Sequence, residues 1–196
     1  MTANSERTFL PAAGRDFFLP LYDPLSKLLG LDHARRALVE QAELRAFQHV
    51  LDVGCGTGTL AVLIKQEHPS VDVIGLDPDP RAIERAERKA FRAGAPVRFD
   101  QGFADALMYR DASFDRVFSS LMFHHLEPAN QEPVLREIRR VLKPGGRLEF
   151  VDFVGSRLPI AELLQRAGFA NVSRTAETRW LFGRLGFYQA SAPPRV

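Results

Sequence analysis

The stretch Val50-Leu51-Asp52-Val53-Gly54-Cys55-Gly56-Thr57-Gly58-Thr59-Leu60 decides how this chain is read. An apolar run carrying an aspartate is followed by three alternating glycines, then by TLAVLIKQEHP (59–69), whose apolar residues recur at helical spacing. Glycine permits left-handed backbone and lets a ligand approach the main chain closely. A glycine cluster between a buried strand and its helix therefore reads as a ligand-binding turn at the carboxyl edge of a sheet; the plainer reading is a tight strand-to-helix turn with no ligand. As a dinucleotide fingerprint the turn fails. G-x-G-x-x-G wants its last glycine where this chain has Thr59, and Asp52 would repel a pyrophosphate. A ligand bearing a cation fits better.

Working outward, HVLDVG (49–54), VDVIGLD (71–77), PVRFDQG (96–102), FDRVFSS (114–120) and RLEFVDF (147–153) read as strands. Between them, PRAIERAERKAFRAG (80–94) and QEPVLREIRRVL (131–142) read as helices, and PIAELLQRAGF (159–169) as a later one. In the first of these Pro80 suits the opening turn, Ile83, Ala86, Ala90 and Phe91 share a face, and Gly94 serves as C-cap. KPGG (143–146) stops the second. Strand and helix in alternation predict parallel pairing with helices on both faces. Two further strand-like pieces, NVSRTAETRW (171–180) and FGRLGFYQA (182–190), follow near the end. Ahead of the alternation lies a helical stretch, with Asp23–Pro24 as cap and first turn, Gly30 as stop, and Asp32 as cap for HARRALVEQAEL (33–44). With no repeat or linker in view, 1–196 reads as one domain, a helical segment (1–47) ahead of a ligand-binding core (48–196).

The 196 residues include 26 basic and 24 acidic side chains, a net charge of +2 that makes no electrostatic case for nucleic acid or a membrane surface. Cys55 is the single cysteine, so the chain holds no internal disulfide and suits a reducing compartment. MTANSERTF (1–9) has no apolar core of a signal peptide, and no segment reaches membrane-spanning length. The expectation is a cytoplasmic protein without stable membrane insertion. His33, His49 and His68 are scattered and no Cys/His ligand spacing occurs, so no metal is expected. Asp77 ends the second strand, where a carboxylate is placed to accept both hydroxyls of a ribose; the plainer reading is a helix cap or turn residue.

LDVGCGTG (51–58), GLDPDP (75–80), DASFDRVFSS (111–120) and LKPGGRLEF (142–150), in that order, resemble the class I S-adenosylmethionine-dependent methyltransferases, particularly their ubiquinone/menaquinone-biosynthesis-like small-molecule branch. The similarity runs from about His49 to Phe153, and YDPLSKLLG (22–30) is similar to the lid segment of that branch. The resemblance implies an α/β fold, a doubly wound Rossmann-like seven-stranded sheet, mostly parallel, with helices on both faces and an antiparallel last strand. It implies S-adenosylmethionine as cofactor, with Gly54, Cys55, Gly56 and Gly58 around the methionine portion and Asp52 supplying negative charge. Asp77 would hold the ribose and Pro78 lie near the adenine. In GFADAL (102–107) Phe103 stands where the family commonly has an aspartate. Phe103 would then pack on the adenine face, Ala104 give backbone contacts and Asp105 take over polar recognition; for Phe103 the alternative is core packing.

In this fold the end of the fourth strand faces the transferred methyl group, which brings in SSLMFHHLEP (119–128). Ser119 is assigned to the cofactor, and Ser120 and Leu121 lie beside it. His124 or His125 is the candidate general base, since imidazole titrates near neutrality; the alternatives are shaping the acceptor pocket or capping the next segment. Phe18, Tyr22 and Leu25 would close the site as a lid, with Phe18, Tyr22 and His124 against the acceptor. SSLMF replaces the Asn/Asp-Pro-Pro-Tyr signature of base methylation, which favours a small organic acceptor that is aromatic, quinone-like or lipid-like. GSRLP (155–159) is shorter than the acceptor-covering segment usual in the branch. Two other readings stand beside this one, a protein or RNA methyltransferase and a noncatalytic S-adenosylmethionine-binding module.

Overall fold

The computed structural model describes residues 31–155, 159–180 and 183–194. Strands β1 (His49–Val53), β2 (Asp72–Asp77), β3 (Arg98–Gln101), β4 (Phe114–Ser120), β5 (Leu142–Phe153), β6 (Ala170–Trp180) and β7 (Gly183–Ser191) form one sheet in the order β3-β2-β1-β4-β5-β7-β6. The first five run parallel, and β7 enters antiparallel between β5 and β6, as the resemblance implies. The helices are α1 (Leu31–Gln41), α2 (Thr59–Glu67), α3 (Pro80–Arg92), α4 (Pro128–Val141) and α5 (Ile160–Arg166).

A strand covered on both faces must be apolar on both, and β1 is. Leu51 and Val53 pack on one side with Ile138 of α4 and Leu164 of α5; Val50 packs on the other with Leu38 of α1 and Ile64 of α2. The same alternation continues in β4, where Val117 joins the first cluster and Phe118 the second. The sheet is therefore doubly wound, and Asp52, alternating with Leu51 and Val53, lies on the α1/α2 side.

Two local expectations are corrected, and a third holds with an addition. Phe91 does not share the buried face of α3; it is 88% exposed, while Ala82, Ile83, Ala86 and Ala90 are buried. One residue past Ala90 is about 100° of helical turn, enough to carry Phe91 off the stripe. KPGG ends α4 but opens no loop. β5 starts at once at Leu142, and the segment is taken up as an irregularity of pairing between Phe114 and Arg116, with Gly145 at φ 75°. Asp32 lies within the first turn of α1, where its carboxylate pairs with Arg35 at 3.0 Å.

Asp79 caps α3 by accepting from the Arg81 N–H at 2.9 Å, with Pro80 at the first helical position, so the chain turns sharply after Asp77. No helix among the described residues is long and apolar enough to cross a membrane. The expectations for Phe18, Tyr22, Asp23, Pro24, Leu25 and Gly30, and for most of GSRLP, lie outside the described residues.

Candidate functional site

β1 and β4 are neighbours in the sheet, and the chain leaves them toward opposite sides. Loops part at such a reversal of strand order, which opens a crevice at the carboxyl ends. Three pieces border it here: the glycine turn after β1, the tip of β2, and the turn after β4.

The glycine turn is sewn to β2. Gly54 and Cys55 donate their N–H groups to the Leu76 carbonyl at 2.8 and 3.0 Å, and Gly58 donates to Cys55 O at 2.9 Å. Gly54, Gly56 and Gly58 have φ of 71°, 53° and 74°, a region that disfavours any side chain. Gly58 is also required by packing: a Cβ there would sit 2.7 Å from Ala86 Cβ and 2.9 Å from Phe99 Cζ. Gly56 differs. A Cβ there would meet nothing within 4 Å, so its backbone faces open space. Lys89 of α3 ties down the flanks, donating to Thr57 Oγ1 at 3.0 Å and Thr59 Oγ1 at 2.6 Å.

Asp77 is half-buried and braces the turn from the other side. Its Oδ2 accepts from Gly56 N at 2.8 Å and its Oδ1 from Asp79 N at 3.0 Å. Each oxygen keeps accepting capacity beyond that one bond. Burial raises its pKa above the ordinary carboxylate value, against the effect of the two N–H bonds. Gly102 N donates to Asp77 O at 3.1 Å and Gln101 Nε2 to Pro78 O at 3.2 Å, which brings the exit of β3 beside Asp77 and Pro78. Phe103 and Ala104 there are half-buried and Asp105 is exposed.

Asp52 is fully buried, and its Oδ2 has no hydrogen-bond partner among the described residues. Burial pushes its pKa up to about 7; the Arg35 guanidinium and the Ala61 N–H pull it down, and the charge of Asp77 pushes it further up. Two carboxylates thus share one field, and one oxygen of Asp52 lacks a hydrogen-bond partner among the described residues. That donor set fits a cationic group and disfavours an anion. The buried Cys55 thiol is raised well above its ordinary value, by burial and then by Asp52 and Asp77, which makes it a packing residue with no nucleophilic character.

After β4 the backbone breaks out of the sheet at Leu121, which has φ 57° and donates its N–H to Val151 O at 2.9 Å. A left-handed non-glycine residue costs about 1–2 kcal/mol. The break places Met122 against Gly54, where a Cβ on the glycine would overlap it, and starts a 3₁₀ turn at Phe123–His125. The His124 and His125 rings lie 4.0 Å apart between centroids, tilted by 42°. Their surroundings differ. His124 Nδ1 lies 2.8 Å from Asp152 Oδ1, whereas His125 has its pKa lowered by burial and by His124. Ser119 lies one residue inside β4, opposite Phe150, buried and with its Oγ unpartnered among the described residues.

The structure therefore brings Asp52, the glycine turn, Asp77, Pro78, the Phe103–Asp105 segment and the histidine turn to one edge of the sheet. Asp152 and Arg35 were missed by the sequence reading. Asp152 carried one signal, a carboxylate near the carboxyl end of a strand, directly after Phe150 and Val151; Arg35 carried none, since it looks like any charge on a helix. Among the described residues no cluster of three or more His, Cys, Asp or Glu side chains could hold a metal ion.

Comparison with known proteins bears on the family and the fold. A methyltransferase-domain family model matches residues 50–146. The demethylmenaquinone methyltransferase of Deinococcus radiodurans is 39% identical over 137 residues, covering 68% of this chain and 56% of that protein. The ubiquinone/menaquinone biosynthesis C-methyltransferase UbiE of Geobacter sp. strain M21 is 31% identical over 176 residues, covering 87% of this chain and 73% of its own. The crystal structure of the YcgJ protein from Bacillus subtilis superimposes with a TM-score of 0.70 at 21% identity, over 84% of this chain and 100% of that one, and shows a shared fold. The chain spans 56–61% of the length of the demethylmenaquinone methyltransferases it matches.

Two measurements check the site as built. In urea titrations Gly58→Ala should lose about 2–5 kcal/mol, the strain of a left-handed alanine plus an overpacked contact, whereas Gly56→Ala should lose only the strain, about 1–2 kcal/mol. Equal losses would contradict the open face at Gly56. Asp52 binds its proton more tightly folded than unfolded, so it stabilises the fold below pH ~4, and that stability is lost as pH rises to about 7. The stability of Asp52→Asn relative to wild type should accordingly climb by about 3–5 kcal/mol between pH 4 and pH 8. A difference that does not change with pH would refute the buried, under-compensated carboxylate.

Proposed function

Because the chain belongs to the class I S-adenosylmethionine-dependent methyltransferases, we propose that it transfers the methyl group of S-adenosylmethionine to a small hydroxylated aromatic acceptor of the quinol type. The pair of carboxylates around an open glycine turn carries the cofactor half of this reading. When bound, S-adenosylmethionine supplies an electrophilic methyl group on a sulfonium, which keeps the electron pair of the broken bond as a neutral thioether.

The residues present fit that molecule. The open backbone face at Gly56 admits the methionine portion, and Asp52, short of a partner, compensates its positive charge. Asp77 accepts the ribose hydroxyls on the capacity its two oxygens retain. Pro78, Phe103, Ala104 and Asp105 flank the adenine side, where Phe103 replaces a polar contact by an apolar one.

Acceptor chemistry falls to the turn after β4. His124 takes the hydroxyl proton of the acceptor at Nε2; the pair left on oxygen forms C=O while a ring π pair bonds the methyl carbon, and the ring C–H proton then leaves to water as the oxygen regains a proton from His124. Most of the acceleration then comes from holding the acceptor in line, which needs a fixed turn more than a reactive one. The strained Leu121 backbone and the packed Phe123, 4.9 Å from the Phe150 ring centroid, provide it. The quinol class is supported by the relatives named for demethylmenaquinone and ubiquinone/menaquinone methylation.

Incubating the protein with S-adenosylmethionine and a panel of reduced quinones, simple phenols, lipid amines and RNA should release S-adenosylhomocysteine with the quinols. Release with RNA or protein alone would contradict the acceptor class, and cofactor binding without release over the panel would make the chain a binding module. Asp77→Ala should cost about 1.5–3 kcal/mol of S-adenosylhomocysteine affinity. His124→Ala should leave that affinity intact and slow turnover by about 10²–10⁴-fold.

A further inference from the structure

Asp152 is the last inward-facing residue of β5 and is completely buried, a position that ordinarily takes an apolar side chain. Its oxygens are saturated with donors. Oδ2 accepts from Phe123 N at 2.8 Å and His124 N at 3.3 Å; Oδ1 accepts from Phe153 N at 2.7 Å and stands 2.8 Å from His124 Nδ1. Both oxygens already serve backbone N–H groups, so the ring nitrogen beside Oδ1 is a donor and the imidazole proton sits on Nδ1.

The contacts on the ring fix its plane as well as its proton. The Phe153 ring meets it edge-on at 5.0 Å, and the His125 ring lies across it at 4.0 Å. Asp152, His125 and Phe153 are the groups that the structure places against the imidazole. The side chain of His124 remains 29% exposed at the crevice.

Resting on the reading of His124 as base, we infer that Asp152 is a positioning residue: it holds His124 in the Nδ1–H form and so reserves the Nε2 lone pair for the proton of the acceptor. The same carboxylate anchors the turn that carries the ring, so base orientation and turn position come from one buried group. A capping residue alone would need only the backbone bonds; the bond to Nδ1 is what the inference adds.

The substitution Asp152→Asn tests this, because an amide must present its NH2 to one side. Turned toward Phe123 N and His124 N, the NH2 would face two fixed donors. Turned toward His124 Nδ1, it faces one fixed donor, Phe153 N, and one nitrogen that can surrender its proton. The second arrangement costs less, and it moves the proton of the imidazole to Nε2, where the ring no longer accepts from a substrate.

Nitrogen-15 spectra of the neutral ring, assigned against His124→Gln, should show the Nδ1–H form in the wild type and the Nε2–H form in Asp152→Asn. The variant should keep S-adenosylhomocysteine affinity within about twofold and lose about 10²–10⁴-fold in kcat. The wild-type spectrum decides the point even if the variant fails to fold, since an Nε2–H ring there would overturn the inference. So would a variant that keeps the wild-type tautomer or full kcat. Full turnover in His124→Gln would instead overturn the base reading alone, because the tautomer measurement does not depend on turnover.

Discussion

Two carboxylates stand in one another's field at the carboxyl ends of β1 and β2, and the glycine turn is folded between them. Asp52 is buried with an oxygen left without a partner, while Asp77 is held at the surface of the crevice by Gly56 and Asp79. Burial makes both charges costly in the empty protein, a cost that the two N–H bonds to Asp77 offset only in part. Burial raises both pKa values; the charge of Asp77 raises that of Asp52 further, and the charge of Asp79 that of Asp77. A cation arriving in that field relieves what the fold alone leaves strained, which is how a binding site differs from a merely stable turn.

The rest of the molecule is arranged to keep that pair in place. Leu51 and Val53 bury β1 against α4 and α5, and Val50 buries it against α1 and α2, so Asp52 cannot swing out to water without undoing a core contact. Arg35 acts on the same carboxylate from α1 through its charge, and the end of α1 is bound to the sheet through Gln41, whose side chain donates to buried Glu149 at 2.8 Å. Arg147 ties in the residue that follows α1, donating to the Ala42 carbonyl at 2.5 Å. The N-terminal helix is thus coupled electrostatically to the glycine turn. At the far side of the crevice, Asp152 does for the histidine turn what Asp77 does for the glycine turn: one carboxylate collects backbone N–H groups and leaves a functional atom correctly aimed.

How much of this was legible in the sequence follows from range. A strand buried on both faces writes itself as an apolar run, and a strand-to-helix turn writes itself in glycines, so β1, β2, β4 and the turn at Gly54–Gly58 could be read directly. Asp77 was legible because its place at a strand tip is local. Phe91 was misread because only the neighbours of α3 determine how wide its buried stripe is. The KPGG segment was read correctly as the end of a helix, but its role inside β5 depends on pairing with β4. His124 and His125 could not be told apart from their adjacency, since the group that distinguishes them, Asp152, comes from β5, 28 positions along the chain. Sequence neighbours announce a site; contacts between distant strands assign the work within it.

The central claim is that this crevice is built for a cationic adenosyl cofactor, and calorimetric titration of the intact chain addresses it most directly. S-adenosylmethionine and S-adenosylhomocysteine should both bind, and NAD at the same concentration should not. Titrations of S-adenosylmethionine in buffers of different ionisation enthalpy should also reveal proton release near pH 7, because a bound cation draws the raised pKa of Asp52 back down. Binding of NAD with no binding of S-adenosylhomocysteine would contradict the account.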